Sequence, residues 1–358
     1  MKDNEINQKR VMITVKREGV ILEPSNCEFE NESVMNPAVI IEGNDVHMFY
    51  RAVHEGNFSS IGYCKLDGPL KVVQRNEEPI LAPSFDYESH GIEDPRIVKI
   101  DGLFYMTYTA YDGNSALGAL ATSTDLKHFV KRGIITSKLS YSQFIDFLKK
   151  DEHPHTNKYF RSYNNKDDTT QSGKPLYLTD KNLVFFPRRI DGKLFFMHRI
   201  KPDIQWTSID KLEDLTPDFW GDYYLNFTHY IFFEPRYSHE SSYIGAGCPP
   251  IELDEGWLMI YHSVRDTPEG YIYSASAALL DKHDPRIEIA RLPYPLFTPE
   301  TNYEVKGVVN KVCFPTGAII WDDRLYIYYG AADKCIACAS ILVKELVAEL
   351  LCHKKIKK

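Results

Sequence analysis

Hydrophobic and polar residues alternate with a period of two through most of the chain, which is the pattern of half-buried β-strands. The alternation comes in five similar units. Each unit has an apolar segment beside a proline, an Asp/Gly turn, an aromatic strand and a strand of small residues. The five prolines are Pro37, Pro95, Pro187, Pro250 and Pro315. Antiparallel units repeated every few tens of residues are typical of propeller blades. We therefore predict an all-β fold, a five-bladed β-propeller formed by residues 1–358 as a single domain; two tandem β-sandwiches are the alternative.

Two segments depart from this pattern. Residues 137–176 lie between the second and third units, and they predict a helix from Ser140 to Lys150 followed by a polar stretch. An excursion of this length is typical of a lid, an oligomer contact or a surface loop. Near the carboxyl end, apolar residues at helical spacing predict a helix over about residues 341–353.

Composition narrows the classes of function. The chain has 42 Lys and Arg against 50 Asp and Glu, a net charge of −8, which argues against a nucleic-acid partner. No apolar stretch is long enough to span a membrane. The first residues, MKDNEINQKR, lack the apolar core of a secretory signal, and seven scattered cysteines favour a reducing compartment. We expect a cytoplasmic protein.

The innermost strands of a propeller line its central channel, so functional residues should occupy matching positions in several units. At these positions the chain offers one or two carboxylates and several cations. Glycoside hydrolysis usually requires two carboxylates. A lone acid that faces cations instead suggests that inorganic phosphate attacks the sugar, because the planar guanidinium of arginine binds two phosphate oxygens at once.

The stretch GIEDPRIVKIDGLFYMTYTAYDG at residues 91–113 resembles glycoside hydrolase family 130, the β-mannoside phosphorylases and related mannosidases. The similarity extends from about residue 18 to residue 340. It includes NPAVI, IGAGCPPIELDEGWLMIYHS and VCFPTGAIIWDDRLYIYYGAAD, in that order. The resemblance implies a five-bladed propeller that cleaves a terminal β-mannoside with inversion.

The resemblance also implies roles for individual residues. Asp94 matches the general acid, which is thought to protonate the glycosidic oxygen through the 3-hydroxyl of mannose. The residues that match the mannosyl subsite are Asn36, Arg51 and Asp333. The residues that match the phosphate site are Lys181, Arg199, His262 and Tyr273. Phosphate is then a co-substrate, and neither a metal nor an organic cofactor is expected.

Two departures from the family pattern concern the phosphate site. Lys181 stands where the phosphorylases usually carry an arginine, and Tyr243 stands where a phosphate-binding lysine is usual. Related β-1,2-mannosidases have lost phosphate-binding groups and activate water with a glutamate, for which Glu240 is the candidate here.

Three functions follow. The leading prediction is an inverting phosphorylase that acts on a β-mannoside oligosaccharide and releases α-mannose 1-phosphate. The alternatives are an inverting β-1,2-mannosidase and a non-catalytic sugar-binding propeller. A homo-oligomer is left open.

Overall fold

Antiparallel strands dominate the computed structural model, which describes residues 13–151 and 153–355. The first strand is β1 (Lys16–Leu22). The first sequence unit forms β2 (Ser33–Glu42), β3 (Asp45–His54), β4 (Phe58–Asp67) and β5 (Lys71–Arg75). The second unit forms β6 (Gly91–Ile100), β7 (Leu103–Tyr111), β8 (Ala116–Ser123) and β9 (Val130–Ile134).

The other three units follow the same plan. The third contains β10 (Lys181–Phe185), β11 (Leu194–Arg199), β12 (Ile204–Ile209) and β13 (Ile231–Phe233). The fourth contains β14 (Tyr243–Ala246), β15 (Ile251–Leu253), β16 (Gly256–Thr267), β17 (Gly270–Leu280) and β18 (Glu288–Arg291). The fifth contains β19 (Cys313–Trp321), β20 (Arg324–Ala331) and β21 (Cys335–Leu342). The predicted β-rich architecture is confirmed.

Within each unit the strands pair antiparallel, mostly with the next strand in the chain; in the fourth unit both β14 and β15 pair with β16. A single parallel bridge between Ser59 and Gly91 joins the first two units into one sheet. The strand order of the last sheet is β1-β21-β20-β19, so a strand from the start of the chain completes the sheet formed near its end.

Short α-helices accompany the strands in the described residues. They are α1 (Tyr141–Lys150), α2 (Thr156–Tyr163), α3 (Pro217–Leu225), α4 (Asn302–Val305) and α5 (Val343–Cys352). The hydroxyl of Ser140 caps α1, and Gln143 completes the capping box. Phe144 of α1, Tyr159 of α2 and Tyr224 of α3 share one aromatic core. The 137–176 segment is therefore packed on the protein's own third unit, through a helix α3 that the sequence pattern did not predict.

A β-bulge recurs in β2, β6 and β10, the first strands of the first three units. The pairing register shifts between Met35 and Ala38 in β2, and equivalent shifts occur in β6 and β10. The residues at the shifts are Asn36, Asp94 and Asn182, with φ of 51°, 51° and 57°. Asn and Asp adopt this left-handed conformation more readily than other residues with a side chain. The bulges turn three polar side chains out of the strand alternation.

The five prolines that mark the sequence units coincide with the bulged strands only in part. Pro37 and Pro95 follow the bulge residues of β2 and β6, and Pro315 lies within β19. In the third and fourth units, β10 and β14 end before Pro187 and Pro250. Leu183 takes the place after the third bulge, so Pro187 does not mark the first strand of the third unit as Pro37 and Pro95 mark those of the first two.

None of the helices within residues 13–151 and 153–355 combines the length and apolar character needed to cross a membrane.

Candidate active site

Asp94 lies at the centre of a hydrogen-bonded cluster built by the first two units. It is 7 % exposed, and its Oδ1 accepts a hydrogen bond of 2.7 Å from Asn36 Nδ2. Arg51 Nη2 is 2.8 Å from Glu93 Oε1, and Arg51 Nη1 is 3.9 Å from Asp94 Oδ1. Arg96 donates to the backbone carbonyls of Asp94 and Gly247 at 2.7 and 2.9 Å. Asn36 therefore holds one oxygen of the carboxylate, and Arg96 holds the backbone of Asp94.

The charge around Asp94 determines its protonation. Burial by itself raises the pKa of Asp94, but the cations of Arg51, Lys181 and Arg96 and the hydrogen bond from Asn36 outweigh burial, so the pKa lies below its usual value. In the ligand-free pocket Asp94 is ionised at neutral pH.

Asp333 lies on the turn between β20 and β21, with a φ of 50°. Burial, and then the neighbouring Asp94 and Glu93 charges, raise the pKa of Asp333 to about 6 against the opposing effects of Arg51 and Lys181. Two carboxylates with pKa values shifted in opposite directions thus face one pocket.

This pocket, which has a volume of about 260 Å³, is also lined by basic residues, which form its cationic wall. Its basic residues include Lys181 from β10, Arg199 from β11 and Lys201 just beyond β11. Among the residues that the structure describes, no carboxylate lies within ion-pairing distance of these three cations. Such a wall can hold an anion.

Tyr243 and Tyr273 complete the cationic wall, with their hydroxyls 2.5 Å apart. His262 lies behind it, fully buried, and its Nε2 accepts a hydrogen bond of 3.0 Å from Arg199 Nη1. Burial and the nearby cations Arg199 and Arg96 hold the pKa of His262 well below its usual value, so the ring is neutral. His262 therefore acts on the pocket through Arg199.

Two glycines make room for these contacts. A Cβ on Gly330 would lie 2.1 Å from Asn36 Oδ1, and a Cβ on Gly245 would lie 2.4 Å from the His262 ring. The glycines of the YGAAD and IGAG motifs thus allow site side chains to approach the backbone closely.

A second cavity of about 540 Å³ adjoins the first and shares Arg51, Lys181 and Asp333 with it. Tyr111 lines it on one side, and the exposed Val308 lines it on another. The site is thus a deep polar pocket that opens into a wider one.

Comparison with known proteins identifies the family. The family model Glyco_hydro_130, described as beta-1,4-mannooligosaccharide phosphorylase, matches residues 7–351. The chain belongs to glycoside hydrolase family 130.

Characterised members of the family are similar over nearly the whole chain. A 1,2-β-oligomannan phosphorylase from Thermoanaerobacter sp. (strain X514) is 30% identical and is matched over 94% of this chain and 99% of its own length. A β-1,2-mannobiose phosphorylase from the same organism is 33% identical, over 89% and 93%. The structure of β-1,2-mannobiose phosphorylase from Listeria innocua superposes with a TM-score of 0.70 at 21% identity, over 94% of this chain and 99% of that one.

The fold of this family 130 chain brings most of the sequence-predicted site residues together. Those that line the 260 Å³ pocket are Asn36, Arg51, Asp94, Lys181, Arg199, Tyr273 and Asp333. His262 does not line it, because the side chain is fully buried behind Arg199. Two further pocket residues, Asn182 and Lys201, were not predicted. Lys201 could have been suspected, since it follows Arg199 by two positions at the end of a strand.

Glu240 lies outside the pocket, and its surroundings do not fit the predicted role of a catalytic base. It is fully buried, and its Oε1 accepts a hydrogen bond of 2.6 Å from Tyr261. Its Oε2 accepts the backbone N–H groups of Arg236 and Tyr237 and lies 3.3 Å from Arg291 Nη1. A carboxylate with these partners has no access to a water beside the sugar.

The Glu240 arrangement recurs in other units of this family 130 chain. A buried glutamate accepts a hydrogen bond from a tyrosine and faces a cation in four units. The sets are Glu30–Tyr50–Arg75, Glu88–Tyr108–Lys131, Glu240–Tyr261–Arg291 and Glu304–Tyr329–Arg17. In the third unit His198 takes the tyrosine's place and lies 2.8 Å from Asp180. Two of these residues directly precede a residue that lines the pocket: Tyr50 precedes Arg51, and His198 precedes Arg199.

Proposed function

We propose that the protein is an inverting β-mannoside phosphorylase. One observation carries the proposal: a single hydrogen-bonded acid, Asp94, faces a wall of three cations without carboxylate partners. In the part of the chain that the structure describes, Asp94 and Asp333 are the only carboxylates that line this pocket. An anionic nucleophile fits such a wall, whereas a water molecule would need a base, and no described carboxylate, Asp333 included, forms an ion pair with the three cations.

Unpaired polar atoms also support a ligand here. Within residues 13–151 and 153–355, the buried atoms without a hydrogen-bond partner include Asn36 Oδ1, Asn182 Oδ1 and Arg199 Nε. Buried polar atoms in native proteins are nearly always paired. Asn36 and Asn182 can bond sugar hydroxyls, and Arg199 Nε can donate to a phosphate oxygen.

In the proposed reaction, a phosphate oxygen bonds to the anomeric carbon while the bond to the glycosidic oxygen breaks. A proton from Asp94, passed through the 3-hydroxyl of mannose, neutralises the departing oxygen. The products are α-mannose 1-phosphate and the acceptor sugar. The steps use only side chains of this chain and the two substrates, with phosphate as co-substrate and no further cofactor.

Asp94 must gain its proton in the complex, since it is ionised in the free pocket. The bound sugar displaces water from the carboxylate, and the phosphate opposes the cations that keep the pKa of Asp94 low. Both effects raise this pKa toward that of a general acid.

We further propose that the substrate is β-1,2-linked, with its acceptor part in the 540 Å³ cavity. The two relatives that match nearly the whole chain are named for β-1,2 linkages. A β-1,4-mannooligosaccharide phosphorylase from Ruminococcus albus matches 49% of it. We also infer that the five units form the five blades of a propeller around an axis through the site.

The test is the conversion of β-1,2-mannobiose with and without inorganic phosphate, followed by ³¹P NMR. We expect phosphate-dependent formation of α-mannose 1-phosphate. Release of free mannose at the same rate in phosphate-free buffer would contradict phosphorolysis. Binding of the sugar without turnover in either buffer would favour the lectin alternative.

A further inference from the structure

Lys201 belongs to the cationic wall and lies beside Tyr243, one of the two residues that depart from the family pattern. Its Nζ is 3.7 Å from the centroid of the Tyr243 ring. The guanidinium carbon of Arg199 is 5.1 Å from the same centroid. Two cations from the third unit thus cover the tyrosine that stands where a phosphate-binding lysine is usual.

The side chain of Lys201 is solvent-accessible, yet it lies inside a concave pocket beside two other cations. Partial burial, and then the charges of Arg199 and Lys181, lower the pKa of Lys201 to about 7. A cation that is held among like charges gains most from a bound anion.

We propose that Lys201 binds the attacking phosphate and supplies the positive charge that Tyr243 lacks. The inference rests on the proposed function and adds a residue from a different strand to the phosphate site. The face of the Tyr243 ring holds the Lys201 ammonium by a cation–π contact, and the N–H groups of that ammonium can donate hydrogen bonds into the pocket.

The 137–176 segment positions Lys201. Tyr163 of α2 donates a hydrogen bond of 3.2 Å to the carbonyl of Lys201. Tyr159, also of α2, donates to Asp203, which further pairs with Lys158 at 2.5 Å. From the other side, the backbone N–H of Ile244 donates to the carbonyl of Pro202 at 3.1 Å. The turn after β11 is thus clamped between α2 and β14.

The test uses Lys201→Met, which leaves an unbranched apolar side chain beside the Tyr243 ring and removes the charge. Loss of one charge-assisted contact should raise the KM for phosphate by about ten- to a hundredfold and leave the KM for β-1,2-mannobiose nearly unchanged. Lys193→Ala, on the distant β10–β11 connection, is the matched control and should leave both constants unchanged.

A charge-relocation variant separates phosphate binding from simple packing. Tyr243→Lys in the Lys201→Met background restores an ammonium from the other strand, and we expect it to recover part of the lost phosphate affinity. If the wild type requires phosphate but Lys201→Met keeps the wild-type KM for phosphate, the inference is wrong and the proposed function stands. If the wild type does not require phosphate, the proposed function itself fails. Lys201→Gln replaces Lys201→Met should the latter not fold.

Discussion

Asp94, within β6, and Asp101, directly after β6, share a left-handed φ of 51°, but only Asp94 lines the pocket. Asp101 accepts a hydrogen bond from Arg189 at the surface. The same substitution at both positions therefore separates chemistry from conformation, since asparagine tolerates this backbone region as well as aspartate does. We expect Asp94→Asn to lower turnover by about 10²- to 10⁴-fold, the range for loss of a general acid. Asp101→Asn should keep wild-type turnover; equal losses in both variants would contradict the assignment.

The protonation of Lys201 gives phosphate binding a pH dependence of its own. Below a pKa of about 7 the ammonium is charged, and above it the charge is lost unless phosphate is bound. Arg199 and Lys181 oppose the charge, and Tyr243 is the ring beneath it. Relative to Lys201→Arg, which stays charged throughout, the wild-type KM for phosphate should increase at least about fivefold from pH 6 to about pH 8.5. The comparison cancels the ionisation of phosphate itself; a constant ratio would contradict a role for the Lys201 charge.

At the scale of the element, the bulges in β2, β6 and β10 explain which site residues could be predicted from the sequence and which could not. Asn-Pro and Asp-Pro mark the bulges of β2 and β6, so Asn36 and Asp94 could be identified from sequence. The third bulge lacks a proline, and Asn182 was missed. Glu240 was misplaced because closeness in sequence to Tyr243 does not give the direction of a side chain on a 3-10 turn (Ser238–Glu240). Contacts between units, such as Lys201 with Tyr243, cannot be inferred from alternation within one strand.

Because the buried glutamate–tyrosine–cation arrangement recurs in four units, we expect Glu240 to stabilise the fold. Glu240→Gln removes the negative charge that pairs with Arg291 and weakens the hydrogen-bond acceptor for Tyr261. The free energy of unfolding should therefore fall by about 1–3 kcal/mol. Turnover of the folded enzyme should be retained. Glu252→Gln, which loses a partly exposed pair with Arg188, is the control and should change stability little. Urea unfolding and kinetics measure the two effects; loss of activity in a fully stable Glu240→Gln variant would restore Glu240 as a catalytic base.

At the scale of the whole molecule, the first strand of the described residues contacts the last one. β1 pairs with β21, and Arg17 of β1 donates a 2.7 Å hydrogen bond to the buried Glu304. Arg17 also packs over the Phe297 ring at 4.5 Å. The pocket takes Asn36 from the first unit and Asp333 from the fifth, so its geometry depends on this junction.

Arg17→Ala tests that dependence, because it removes the cationic partner of the buried Glu304 and leaves neutral groups, among them Tyr329 and two backbone N–H groups, beside that charge. Removing one member of a buried ion pair costs about 3 kcal/mol or more. We expect a lower melting temperature and an earlier loss of activity than of bulk β structure on heating, because the β1–β21 contact opens first. Lys16→Ala, whose side chain is 66% exposed beside Glu18, is the control on the same strand. Circular dichroism and residual activity along one heating series measure the two losses; coincident loss of both in Arg17→Ala would show that the junction unfolds together with the rest of the molecule.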